Sequence, residues 1–193
     1  MFRAFRLSHS LRGFQLGLHR PAAAAAEAKI ATGLGNPKGE TNVVSGAGSV
    51  WVPSDPAGKV ARIDPATNTV TGKVTMGDTP GFLAAGEGAV WVQEQGDGTV
   101  AKVDPVKLTV LGRTKIGPKL KWGDIDTGAG AVWLRTTEQQ TMVVIDAESL
   151  KIRARMGPSV GSGALRWAPK GVWTSAHDNQ TLSWWSPAAP APK

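Results

Sequence analysis

The sequence predicts an all-β fold, a β-propeller of about four blades, each a meander of four short antiparallel strands. Three observations predict it. A Val-Trp segment returns four times: Gly48-Ser49-Val50-Trp51-Val52, Gly88-Ala89-Val90-Trp91-Val92, Gly130-Ala131-Val132-Trp133-Leu134 and Lys170-Gly171-Val172-Trp173-Thr174. Its tryptophans lie 40, 42 and 40 residues apart. The 24 Gly and 13 Pro are spread along the chain and punctuate short apolar runs with period-two alternation, the mark of strands and tight turns rather than of helices. Units of four strands repeating every 40–45 residues or so are propeller blades.

Within a unit the strands are read in order as a to d. Strand a precedes the Val-Trp segment, at 41–45, 82–85, 122–127 and 163–168. Strand b is the Val-Trp segment. A polar loop of similar length follows in each copy, and then strand c, at 60–63, 100–103, 143–145 and 182–185. The c–d corners read Asp64-Pro65, Asp104-Pro105, Asp146-Ala147 and Ser186-Pro187. Asp or Ser at the first corner of a type I turn bonds the backbone ahead of it, and Pro presets φ at the second. Strand d follows at 70–76, 110–116 and 152–156, each ending at a glycine, Gly77, Gly117 or Gly157.

The fourth copy stops after strand c. Lys29-Ile30-Ala31-Thr32-Gly33 lies in register with Lys73-Val74-Thr75-Met76-Gly77, so the N-terminal strand is a candidate to complete the last blade and close the ring, which would leave no open edge. The alternative is a fragment of a larger propeller. The blades, centred on Trp51, Trp91, Trp133 and Trp173, occupy residues 27–186, between an N-terminal segment 1–26 and a Pro/Ala-rich tail 187–193.

The segments Gly-Ala-Val-Trp-Val at 88–92 and Gly-Thr-Val-Ala-Lys-Val-Asp-Pro at 98–105 resemble bacterial YVTN-type propeller repeats, and are similar to those of NHL and streptogramin-lyase-like propellers. The resemblance extends over residues 27–186. It implies a propeller fold with more blades than this chain has material for. It also implies, for a lyase, a histidine-and-glutamate constellation with a divalent metal, for which His177, Glu94 and Glu138 are the catalytic candidates here.

Charge and composition limit the function classes. The net charge is +7, of which Arg3, Arg6, Arg12 and Arg20 supply +4 in an acid-free first 26 residues, leaving +3 over the other 167. No basic block tracks through the repeats, so nucleic acid is not an expected partner. No apolar run reaches the length of a membrane span. Cysteine is absent, which removes thiol chemistry and disulfides. The arginines followed by Ala22 to Ala26 read as an export signal, a transit peptide or upstream residues outside the fold, and the expected location is extracytoplasmic, periplasmic or secreted.

Binding chemistry is expected where the repeats diverge, on the face carrying the b–c loops and d–a connections. The candidate ligand-binding residues there are Asp55, Gln93, Glu94, Asp97, Arg135, Glu138, His177 and Asp178. Asp124 and Asp126, two apart on strand a, project to one face and are candidate oxygen ligands for Ca²⁺ or Mg²⁺, although no cofactor is required by anything else in the chain. Trp122 and Trp167 on strand a read as core or as ligand-stacking surfaces. The sequence Gly157-Pro158-Ser159-Val160-Gly161 fits the pattern of a nucleophile elbow, but no helix follows it. The expected function is a non-catalytic scaffold for a protein partner or small ligand. The alternatives are a lyase-like enzyme and a fragment of a larger ring, the last open to self-association.

Overall fold

The computed structural model describes residues 28–35, 41–54, 56–120, 123–136, 141–157, 163–177 and 180–186. These form four antiparallel sheets. Blade 1 comprises β1 (Val44–Gly46), β2 (Ser49–Ser54), β3 (Lys59–Asp64) and β4 (Thr69–Thr75). Blade 2 comprises β5 (Pro80–Gly86), β6 (Ala89–Glu94), β7 (Thr99–Asp104) and β8 (Thr109–Lys115). Blade 3 comprises β9 (Ile125–Gly128), β10 (Ala131–Thr136), β11 (Thr141–Asp146) and β12 (Ile152–Met156). Blade 4 comprises β13 (Leu165–Ala168), β14 (Gly171–Ala176) and β15 (Thr181–Trp185). In every blade the strands neighbour one another in chain order, the meander the repeat predicts.

Turn chemistry fixes the registers. The first hairpin of blades 1 to 3 turns at Ala47-Gly48, Glu87-Gly88 and Ala129-Gly130, and both residues of each pair have positive φ. That is the two-residue turn whose twist matches the flanking strands. The Asp corners also behave as read: Asp64 Oδ1 accepts from Ala66 N at 2.8 Å, Asp104 Oδ1 from Val106 N at 2.8 Å and Asp146 Oδ1 from Ser149 N at 2.7 Å. Each corner ends on a left-handed residue, Asn68, Leu108 or Leu150. For the two leucines this conformation costs roughly 1 kcal/mol or more. Their side chains lie over Gly72 and Gly112 of the preceding blade, close enough that a Cβ there would meet the leucine Cδ1 at 2.2 and 2.4 Å.

Each blade has two faces, and the chain stacks them in one direction. The Trp face of blade 1 (Trp51, Val60, Val74) packs on the reverse face of blade 2 (Leu83, Val90, Val92). Trp91 and Val100 pack in the same way on Ile125, Val132 and Leu134 of blade 3, and Trp133 and Met142 on Leu165 and Val172 of blade 4. Three junctions thus carry the core. Each buried tryptophan removes about 200 Å² from water, and its indole N–H is satisfied inside its own blade by the carbonyl of Gly46, Gly86 or Gly128, at 3.0, 3.1 and 3.0 Å.

Among the described residues the ring does not close on the N-terminal strand: residues 28–32 form no strand, and β15 pairs with β14 alone in a three-stranded sheet. Residues 33–34 lie instead against blade 1, where Ser54 Oγ donates to Leu34 O at 2.9 Å and Lys73 Nζ to Gly33 O at 3.3 Å. The register match with Lys73 to Gly77 located the segment at a strand-d position, but of the blade ahead of blade 1 in the stacking direction.

Candidate functional site

On the b–c/d–a face the loops of adjacent blades interlock. After β4 the chain turns through Gly77, Asp78 and Thr79, the last at φ 53°. The turn at 95–98 in blade 2 meets it. Gln95 N donates to Thr79 O at 2.9 Å and Gly96 N to Asp78 O at 3.1 Å. Asp78 N in turn donates to Asp97 Oδ2 at 2.7 Å. The approach is close: a Cβ on Gly96 would stand 2.0 Å from Asp78 Oδ2. On the other side Leu120 N donates to Gln95 O at 2.8 Å, tying the same turn to the blade 2–blade 3 connection.

Beneath this turn lies Glu94, wholly buried at the end of β6. Its Oε1 accepts from Gly77 N at 2.6 Å and Arg113 Nη2 at 2.9 Å, and its Oε2 accepts from Thr99 Oγ1 at 2.6 Å and Arg113 Nε at 2.8 Å. Burial pushes the carboxyl up, but the bonds from Arg113, Thr99 and Gly77 together outweigh it and hold the group below the usual carboxylate range. Beside it Gln93, also wholly buried, donates from Nε2 to Gly123 O at 2.8 Å. Among the described residues two buried side-chain atoms have no hydrogen-bond partner, Gln93 Oε1 and Gln95 Nε2, an acceptor and a donor at the base of one loop.

Nearer the axis, a cavity of about 210 Å³ is bordered by the first strands of all four blades, with Asn42, Ser45, Ala84, Asp126 and Arg166 in its lining. The polar groups here join blades. Asn42 accepts from Leu83 N and donates to Leu83 O, both at 2.9 Å. Asp124 Oδ2 accepts from Leu165 N at 3.0 Å and Arg166 Nη1 at 2.6 Å, and Asp126 Oδ2 accepts from Trp167 N at 2.8 Å. Two carboxylates spaced by two residues thus bind two N–H groups spaced by two residues on the neighbouring strand.

The sequence-predicted residues separate into three groups. Gln93, Glu94 and Arg135 are not loop residues, as expected from the polar run, but the buried ends of β6 and β10. The strand continues because each pairs across to strand c, Glu94 with Thr99 and Arg135 with Met142. Arg135 Nη1 donates to Ser175 O of blade 4. Asp97 and His177 are exposed, Asp97 in its turn and His177 directly after β14. Asp55, Glu138, Asp178 and Trp122 lie outside the described residues. Asp124 and Asp126 do share one side of blade 3, but they face backbone N–H groups, and no group of three or more metal-ligating side chains occurs among the described residues. Trp167 stacks on Trp133 at 5.5 Å between ring centroids, in the blade 3–blade 4 core.

Sequence reasoning missed Asn42, Arg113 and Arg166. A signal existed for the first: aligned on the tryptophans, Asn42 of blade 1 and Asp124 of blade 3 occupy the same repeat position, where blades 2 and 4 have Phe82 and Ala164. Nothing in the one-dimensional pattern joins Arg113 to Glu94, which lie 19 residues apart on non-neighbouring strands.

No protein-family model and no curated protein matches the sequence. Among solved structures, the chain is similar to Kuenenia stuttgartiensis hydrazine synthase, with a TM-score of 0.64 and 14% identity over 72% of this chain and 43% of that one. It is similar to BamB from Moraxella catarrhalis (TM-score 0.60, 14% identity, 75% and 42% of the two chains). It is likewise similar to the Cps50 (Swd1) β-propeller domain of Myceliophteria thermophila (TM-score 0.62, 14% identity, 76% and 53%). These likenesses establish a β-propeller fold, and this chain spans about half the length of these three solved chains.

Proposed function

We propose that this propeller is a non-catalytic scaffold that binds a protein partner or a small ligand on the face formed by its b–c loops and d–a connections. The observation that carries the reading is the pair of buried amide atoms without a hydrogen-bond partner, Gln93 Oε1 and Gln95 Nε2, at the end of β6 and in the turn after it. A buried polar atom without a partner costs about 1–3 kcal/mol, and a ligand or partner group offering one donor and one acceptor removes that cost. The carboxylates nearby support binding over acid–base chemistry, because Glu94, Asp124 and Asp126 already accept hydrogen bonds that join blades or strands. A general acid or base must instead reach the proton that it moves.

The test is affinity capture from the source cells with two chains: the native one, and a Gln95→Met chain, which removes the unpartnered Nε2 at similar side-chain size and leaves the backbone bonds of the turn in place. The expected result is a protein or small molecule retained by the native chain and lost from the variant, at comparable thermal stability. Equal retention by both would remove the loop face as the binding surface. On this reading no cofactor is required, and Ca²⁺ or Mg²⁺ leaves the thermal midpoint of the native chain unchanged. The reading also keeps the protein extracytoplasmic, with residues 1–26 serving export. N-terminal sequencing of the protein recovered from cells checks that point.

A further inference from the structure

We propose that two copies of this chain join head to tail into one larger ring, the Trp face of blade 4 in each copy covering the reverse face of blade 1 in the other. The proposal is independent of the binding reading above. It starts from the three junctions inside the chain, each of which sets the Trp face of one blade on the reverse face of the next. Stacking in one direction leaves two faces over, and both still carry the residues of a junction.

On the Trp face the comparison is position by position. Trp51, Trp91 and Trp133 are 0%, 0% and 4% exposed, whereas Trp173 is 44% exposed. Leu182 is 66% exposed, where Val60, Val100 and Met142 are at most 1% exposed. Trp184, half exposed, stands opposite Trp173, where Arg62 and Lys102 stand opposite Trp51 and Trp91. An exposed patch of this kind on one blade marks an interaction surface. The reverse face of blade 1 mirrors it: Val43 is 62% exposed, whereas its equivalents Leu83, Ile125 and Leu165 are at most 2% exposed.

The occupant is a second copy because the face that fits the patch is one this chain already makes three times and has left open once. The N-terminal segment supports the same geometry. Ser54 and Lys73 hold Leu34 and Gly33 against blade 1, as Glu94, itself gripped by Arg113, holds Gly77 against blade 2. Residues 28–34 therefore travel with blade 1 as the end of a preceding strand d. Docked on blade 4 of the other copy, they arrive beside β15, whose outer edge has no strand neighbour among the described residues, and an extended segment adds readily to such an edge. By length, two arcs match the larger of the solved chains, since this chain spans about half of three of them. The axial cavity would then be shared, with Asn42, Asp126 and Arg166 contributed from both copies.

Light scattering on the full chain tests the proposal. The native chain is expected at the mass of two copies. Val43→Glu in one chain and Trp173→Glu with Trp184→Glu in another each halve that mass with unchanged circular dichroism, because these side chains are exposed in the single chain. Mixing the two variants restores a two-copy species through its one intact junction. Leu182→Glu serves in place of the tryptophan pair if that variant misfolds. A native chain that stays single at every concentration overturns the proposal. So does a Val43→Glu chain that keeps the two-copy mass, since the Trp faces would then be meeting each other, and so does open-ended growth.

Discussion

At the residue scale, the side chains with the most chemical character are tied into the frame. Glu94 illustrates this. It is wholly buried and accepts four hydrogen bonds, two of them from the guanidinium of Arg113. Glu94→Gln keeps the shape but turns one acceptor atom into a donor facing other donors, and removes the charge that Arg113 answers. The expected loss is about 2 kcal/mol of unfolding free energy, read by urea titration. The sign with pH follows from the depressed carboxyl. Its contribution is complete above the ordinary glutamate range and is lost as pH falls through the folded-state value. The gap between native and Glu94→Gln proteins should therefore narrow in acid. A gap that widens in acid would contradict the assigned charge state.

At the scale of the element, backbone segments approach one another so closely, both within a blade and between blades, that some positions leave no room for a side chain. Gly123, just before β9, makes a parallel bridge to Gly163, and a Cβ on it would stand 1.8 Å from Arg135 O. Backbone cannot swing aside as a flexible side chain can. Gly123→Ala is expected to destabilise by about 1–3 kcal/mol, the usual range for forced overpacking, with a lower thermal midpoint. Gly72→Ala, which meets the movable end of Leu108, should cost less. Equal losses at the two positions would mean that the connection before β9 adjusts freely.

At the scale of the whole molecule, a set of carboxylates shares one pH dependence. Asp64 is held low by the N–H of Ala66 and the hydroxyl of Thr67. Asp104 is held low by the N–H groups of Lys107 and Val106, and Asp146 by the N–H of Ser149 and by Arg153. Each is depressed in the folded state, so each adds stability that is present above the ordinary carboxylate value and lost on acidification. The thermal midpoint should hold steady from about pH 5 to 7 and fall below that range. Removing the corner carboxylates together, with Asp64→Asn, Asp104→Asn and Asp146→Asn, should flatten the acid limb. An unchanged acid limb would assign the loss to other groups.

The sequence by itself determined the blade. A strand has a period of two and a hairpin turn admits few residue types, so alternation, Gly-containing turns and Asp corners are local signals, and the four tryptophans set their phase. The repeat also placed Leu83, Ile125 and Leu165 at one common position, which the fold uses as one face of the core. What it could not determine was how the blades meet. The Glu94–Arg113 pair, the ladder from Asp124 and Asp126 to Leu165 and Trp167, and the burial of Gln93 and Arg135 depend on the distance between strands that are not neighbours in the chain. The same reason moved the N-terminal segment from blade 4 to blade 1. Its register with strand d was legible, but whether it meets β15 depends on the curvature of the stack, which the tertiary packing of three junctions sets.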